Sequence, residues 1–358
     1  MANVCVGSKI HAECLIDRGL IDMIANVLHS AHDSVFEQGA WAVGCLAAHD
    51  ALFKDVMLKH DILEPLAARI LSTSDQDILK NASWTLCNLI SGCSKHVNKC
   101  MAVTALIKLV TTQHDIDILH DSLVAILDMI DDSVVDGLMD GRLARILVGM
   151  LRSSIPYIRY AILQILMYIT DTTDEHTQTV IDCDGISLIF DMLSLYEIDD
   201  KCRVSCLCIV SNVLVGSNRH ISYVFDKNDW IDVIFDHCEH DSADVKSEAI
   251  NCICNATKNA DDNHMHTMID KGILDVFVIN LDLHCDDAVI RAILDSLSYI
   301  LDTTEIITQV ILPHRLHMRM EAAGIIDRLE HLQYHACTSI YIATTSLIEM
   351  HFIVHDAL

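Results

Sequence analysis

An all-α solenoid of stacked repeats is the fold this sequence predicts, and three observations predict it. Apolar residues make up 52% of the 358-residue chain, aromatics 5%, and there are 3 prolines; this composition suits packed helices of Leu, Ile, Val and Ala. The stretch Asn81-Ala82-Ser83-Trp84-Thr85-Leu86-Cys87-Asn88-Leu89 reads as a helix with Ala82, Leu86 and Leu89 on its core side. At about 100° per residue, Trp84 and Asn88 share a face roughly 160° from Leu86. The third observation is that this outward pair recurs, as Trp41 and Cys45 opposite Val43.

Aligning outward from these two helices places Asn or a substitute at Asn3, Cys45, Asn88, Asp128, Tyr168, Asn212, Asn255 and Tyr299, in steps of 42, 43, 40, 40, 44, 43 and 44 residues. A period of about 40 residues with helical patterning is the signature of an armadillo or HEAT array. Such an array grows by stacking, so one domain over residues 1–358 is expected.

Taken in order, Asn3-Val4-Cys5-Val6-Gly7-Ser8 reads as the end of a repeat's last helix, so residues 1–17 are expected to be a truncated first repeat. A new unit begins at Arg18-Gly19-Leu20, with Ile21, Ile24, Val27 and Leu28 at helical spacing. His32-Asp33-Ser34 then supplies a turn and N-cap before the helix of Trp41. Asp61-Ile62-Leu63-Glu64-Pro65 opens the next unit, where Pro65 fits a first helical turn, and Ser74-Asp75 leads into the helix of Trp84. The middle units carry Asp121, Val124 and Asp128 outward, then Gln164 and Tyr168. Later ones pair Cys208 with Asn212, Asn251 with Asn255 and Asp295 with Tyr299. Residues from Glu321-Ala322-Ala323-Gly324 through a helix containing Tyr341, Leu347 and Met350 form the expected C-terminal capping repeat, about 321–355.

These residues resemble importin-α, the armadillo adaptor of nuclear import. The resemblance rests on Glu37-Gln38-Gly39-Ala40-Trp41-Ala42-Val43-Gly44, Asn81-Ala82-Ser83-Trp84-Thr85-Leu86-Cys87-Asn88, Thr173-Asp174-Glu175-His176-Thr177-Gln178 and Lys246-Ser247-Glu248-Ala249, in register over nearly the whole chain. It implies a right-handed superhelix whose third helices line a groove for Lys/Arg-rich nuclear localisation signals. There, Trp faces stack on the signal's cations, Asn amides bond its backbone and carboxylates receive its charged ends. A cation–π contact contributes about 0.5–2 kcal/mol. Carried over residue by residue, the major site implied is Asn3, Gly7, Trp41, Trp84 and Asn88, with Asp121 nearby; the minor site is Asn212, Glu248 and Asn255.

This sequence departs from the family at Cys45, which stands where the family has Asn, and at His49, which replaces the Asp that receives the key lysine, with Asp50 adjacent. Cys208 and Asn251 replace both minor-site indoles. The basic segment by which the family binds importin-β and occupies its own groove has no counterpart here, so neither self-inhibition nor recruitment of importin-β that way is expected. The C-terminal repeats resemble those that contact the recycling export receptor. Cytoplasm and nucleus are the locations the resemblance implies.

Charge and motifs bound the remaining classes. With 51 acidic against 24 basic residues, a formal charge of −27 favours basic peptides as partners and disfavours nucleic acid. The 15 cysteines fall largely within helical patterns and no secretory signal precedes them, which favours free thiols. The longest run without Asp, Glu, Lys or Arg, His331 to Ile348, spans 18 residues but includes His, Gln, Thr and Ser, so no membrane segment is expected. Cys87 with Cys93, His96 and Cys100, or His237 with Cys238 and His240, lack paired C-x-x-C spacing, so no metal or cofactor is expected. Neither a nucleophile elbow nor a glycine-rich phosphate loop is present, and an enzyme is not expected.

Blander assignments stand beside these. An isolated helical Trp usually belongs to a core; two at one repeat position, both opposite the core stripe, reverse that preference. Asn212 and Asn255 fit solvated surface amides equally well, and Asp131-Asp132 and Asp261-Asp262 fit solvated turns. The alternative function is an armadillo scaffold that joins proteins but no longer reads cargo signals.

Overall fold

The structure, a computed structural model, describes residues 9–91, 99–113, 115–139, 141–195, 198–227, 229–306 and 313–352. Among these residues every regular element is a helix, and the chain divides into two compact units, residues 1–172 and 173–358.

In the first unit the helices are α1 (Lys9–Ile16), α2 (Leu20–Leu28), α3 (Asp33–His49), α4 (Ala51–Lys59), α5 (Leu63–Ser72), α6 (Gln76–Ile90), α7 (Lys99–Thr112), α8 (Ile116–Met129), α9 (Asp132–Leu138), α10 (Gly141–Met150) and α11 (Pro156–Thr170). The second holds α12 (Asp174–Asp182), α13 (Gly185–Ser194), α14 (Asp200–Val215), α15 (Asn218–Phe225), α16 (Trp230–His240), α17 (Ala243–Asn259), α18 (Asp262–Lys271), α19 (Ile273–Asn280), α20 (Asp287–Ile306), α21 (Pro313–Ala323), α22 (Ile325–Leu332) and α23 (Thr338–His351). The repeating unit is two short helices followed by a longer one. The long helices stack in sequence, α3 on α6 on α8 on α11 in the first unit, and α14 on α17 on α20 on α23 in the second.

Local chemistry sets the boundaries. Asp50, Asp75, Asp115 and Asp131 cap helices of the first unit through their carboxylates, and Thr173, Asp199 and Asp261 cap helices of the second. Each accepts a backbone N–H of the first turn, worth about 1 kcal/mol. The pairs Asp131-Asp132 and Asp261-Asp262 are therefore helix starts. The step from first to second short helix takes a left-handed residue at Gly19, Asp61, Asp184, Gly272 and Gly324, where glycine avoids the Cβ penalty and aspartate is among the few other residues that adopt it readily. At Trp41's helix the expected cap differs. His32 is the N-cap and makes no side-chain cap bond, while Asp33 accepts a hydrogen bond from Arg69 at 2.7 Å. That arginine also lies 4.6 Å over the Phe36 ring.

The core is aliphatic, with Leu86, Val43, Leu123, Leu207 and Leu297 fully buried. Polar ties between successive repeats run through it. Thr85 donates its hydroxyl to the carbonyl of Ala40 at 3.0 Å, and the Cys252 thiol meets the carbonyl of Leu207 at 3.1 Å. These are the same bond in the two units, from the residue after one ladder position to the carbonyl of the residue before the previous one. Lys108 reaches the end of α5 and donates to the carbonyls of Ile70, Leu71 and Thr73.

The third tryptophan, Trp230, is a packing residue, stacked on Phe190 at 4.1 Å with planes 8° apart. His237 is buried against Asp241, with its other ring nitrogen 3.2 Å from the Leu193 carbonyl. It ties α16 to α13. Among the described residues no group of three or more His, Cys, Asp or Glu is placed to hold a metal; Cys93 and His96 lie outside them. Twelve cysteines of the described residues are in no disulfide. Among the described residues no helix is long and apolar enough to cross a membrane.

Replacing Thr85 by Val removes the donor of a fully buried bond and is expected to lower the unfolding free energy by about 1 kcal/mol, measured as a lower urea midpoint at unchanged slope.

Candidate peptide-binding cleft

The ladder position of each long helix is the one Trp84 occupies on α6, and its inner face extends one turn either way. Trp41 on α3 and Trp84 on α6 are both half-buried. They line one cleft of about 490 Å³, together with Asp77, Lys80 and Asn81 of α6 and Asp117, His120 and Asp121 of α8. The neighbouring core positions Val43 and Leu86 are fully buried, so each indole leaves its helix on the side away from the core.

Trp84 holds its pose because of what lies under it. A methyl group built at Gly44 would fall 2.7 Å from Cε3 of the indole and closer still to Cζ3. The ring therefore rests directly on the backbone of α3, and only a residue without Cβ leaves it that seat. Gly44 is a positioning residue that sequence reasoning missed. Its signal was present, as the glycine one helical turn after Trp41.

Carboxylates surround the indoles. Lys80 is hydrogen-bonded to Asp117, which holds that carboxyl below its ordinary range, and lies 4.0 Å from Asp115. Burial pushes the Asp121 carboxyl above its ordinary range, opposed by the adjacent His120. Asn81 is committed to the scaffold, donating Nδ2 to the carbonyl of Glu37 at 2.9 Å. Asn88, one turn beyond Trp84, differs. Its Nδ2 is buried and has no hydrogen-bond partner within the chain, which is uncommon for a buried amide. Beside it the Cys87 thiol is pushed up to about 12, by burial and then by Asp121 and Asp128, and stays protonated. Cys45 shifts upward through burial as well.

The structure brings Trp41, Trp84 and Asp121 to one cleft and puts Asn88 on the same helix as Trp84. Asn3 and Gly7 lie outside the described residues. Asp50, beside His49, is spent on capping α4, with its carboxylate 2.9 Å from the Leu52 N–H. The acids at Asp77 and Asp117 went unnoticed in the sequence, although each stands two turns before a ladder position.

Asn212, Glu248 and Asn255 belong to the second unit, where the same positions are closed on themselves. Asn255 donates Nδ2 to Ser211 Oγ at 2.8 Å. Cys208, at the ladder position, donates its thiol to Glu248 at 3.5 Å and is pushed up to about 12 by burial and that carboxylate. Asn212 is half-buried on α14.

No family model matches the chain. It is 23% identical over 230 residues to importin subunit alpha-1a of Oryza sativa subsp. japonica, covering 63% of this chain and 43% of that protein. With importin subunit alpha-2 of Arabidopsis thaliana it shares 29% identity over 92 residues, 26% of this chain and 17% of that one. Each match spans less than half the relative's length. Among solved structures, an engineered protein superposes with a TM-score of 0.70 at 17% identity, covering 97% of this chain and 92% of that chain. A designed armadillo repeat protein gives 0.56 at 14% identity, over 65% of this chain and 98% of that chain. Designed armadillo repeat proteins for modular peptide recognition give 0.59 at 15% identity, over the same shares.

Gly44→Ala is expected to displace the Trp84 ring. In a background where Trp41 and Trp230 are Phe, the remaining indole emission moves to longer wavelength as its seat is lost. Gly137→Ala, where the added methyl meets nothing within 4 Å, is the control and leaves the emission unchanged.

Helix content, repeat order and structural neighbours agree on the fold: the chain is an all-α armadillo-type solenoid, and in sequence it is similar to importin subunits alpha.

Proposed function

We propose that the first unit binds Lys/Arg-rich nuclear localisation signals and that the protein serves as a nuclear import adaptor, moving between cytoplasm and nucleus. The observation that carries this reading is the cleft itself, where two indoles and the carboxylates of Asp77, Asp117 and Asp121 face one volume. Lys80 is held by Asp117 and Asp115, which leaves Asp77 and Asp121 to meet an incoming cation. The aliphatic stem of a lysine packs on the indole and its ammonium reaches a carboxylate. On rotation of its side chain, the amide of Asn88, unpaired within the chain, supplies a hydrogen bond to the peptide backbone. Peptide recognition by designed proteins of this fold and the importin-α names of the relatives support the same reading.

A second reading applies to the other unit. Because Cys208 and Asn255 are bonded within the scaffold, that unit acts as a protein-binding scaffold and does not read a second basic cluster. Binding of this kind is therefore to signals with one cluster.

A labelled lysine-rich peptide titrated by fluorescence anisotropy is expected to bind the protein and to lose about tenfold or more in affinity with the Trp41→Ala, Trp84→Ala double variant, two cation–π contacts being removed. Absence of binding by the parent protein would overturn the adaptor reading in favour of the scaffold alone.

The pH dependence has a definite sign. Burial raises the Asp121 carboxyl, a cationic ligand favours its ionised form, and binding therefore expels the proton. Affinity is expected to rise as pH climbs above the ordinary aspartate range of about 4 and to rise less in Asp121→Asn, read from the same anisotropy titrations.

A further inference from the structure

The ladder of the first unit does not end at the indoles. Its next two long helices lack tryptophan, carrying Val124 and Gln164 at the ladder position, yet α11 exposes three tyrosines: Tyr157 is 47% exposed, Tyr160 38% and Tyr168 36%. At about 100° per residue these three fall within roughly 80° of one another, so they form a single phenolic face running the length of α11. Tyr168 stands at the repeat position held by Asn88 on α6, and Tyr160 at that of Lys80 and His120. Three exposed rings on one face form an amphipathic surface of the kind enriched at interfaces.

The face is continuous with the cleft. Tyr157 meets the His120 ring edge-on, with centroids 5.0 Å apart and planes at 84°, and His120 lines the cleft beside Trp84 and Asp121. Asp117 and Asp121 flank the junction, lining the cleft with His120. The chain's charge of −27 opposes a second copy on this surface and favours a cationic occupant.

We propose that the tyrosine face of α11 is an arginine-reading extension of the cleft, which takes the segment flanking the basic cluster of the same bound peptide. A planar guanidinium stacks on a phenol and hydrogen-bonds a neighbouring carboxylate in one pose, which a lysine ammonium does not match. The cleft thus anchors the lysine cluster through Trp41 and Trp84, and the tyrosines select signals that carry arginine beyond it. This rests on the peptide-binding reading of the cleft.

The test compares labelled peptides by fluorescence anisotropy: a lysine core alone, the core with two arginines spaced by glycine on its N-terminal or C-terminal side, and the same extensions with lysine or alanine. Each is titrated against the parent protein and a Tyr160→Ser, Tyr168→Ser variant, whose substitutions lie at exposed positions and leave the Tyr157–His120 contact in place. One arginine extension is expected to tighten binding about five- to tenfold over the core, more than its lysine counterpart, and the variant to lose that gain while binding the core as before.

If the core binds and neither arginine extension gains, or the gain survives in the variant, the tyrosine extension is overturned and the cleft reading stands. Should the core itself fail to bind, both fall together. A variant that alters the protein's own sedimentation with peptide binding unchanged makes the face a self-association surface and likewise overturns the proposal.

Discussion

The bond from Thr85 to the Ala40 carbonyl, and its counterpart from Cys252 to Leu207, expresses the constraint on which the rest of this structure depends. A three-helix repeat cannot bury its own apolar face, so stability comes from the next repeat covering it. Buried Val43, Leu86 and Leu123 supply the non-directional part of that covering. The hydroxyl and thiol bonds supply direction: they tie the turn before one ladder residue to the turn after the next. Because the donor lies immediately beside the ladder position, the ladder side chains of successive helices are held at a fixed offset on the opposite face. A groove that reads a peptide at repeating intervals requires that offset.

The same regularity makes departures from it informative. In the first unit the ladder residue of α6 is a large indole, and the helix before it provides Gly44 as a seat. In the second unit Ser211 stands at the position equivalent to Gly44, and its hydroxyl accepts the Asn255 amide. A small polar side chain there holds the Asn255 amide in an internal bond. Loss of the indole at Cys208 has a parallel consequence, since the thiol donates to Glu248 and the carboxylate gains a partner inside the chain. Polar groups that would otherwise await a ligand are satisfied by one another, as buried polar groups generally are.

The excess of acid also divides into two populations. Asp50, Asp75, Asp115, Asp131, Asp199 and Asp261 cap helices, where an anion at a helix N-terminus is favourable in itself. Their abundance follows from the number of helices and says little about a partner. Asp77, Asp117 and Asp121 face the cleft, and Asp121 is held there against its own desolvation. The net charge of the chain sets the long-range field, whereas these three carboxylates concentrate negative charge at the cleft.

The fold class, the repeat period and the outward face of the long helices were legible in the sequence by itself, because a helix of 3.6 residues per turn writes its buried stripe directly into residue spacing. That spacing placed Val43 and Leu86 in the core and Trp41 and Trp84 opposite it. Helix starts were nearly as legible, since an N-cap is a local bond; within His32-Asp33-Ser34 the spacing did not show that the cap makes no side-chain bond, with Asp33 paired to Arg69, 36 residues away. What spacing cannot contain is which residues of different repeats meet. The seat of Trp84 on Gly44, the closure of Asn255 on Ser211, the unpaired amide of Asn88 and the edge contact of Tyr157 with His120 each join or isolate groups some 40 residues apart. They were decided only by the stacking of one repeat on the next, since hydrogen bonds and ring contacts form over a few ångströms of space whatever the distance along the chain.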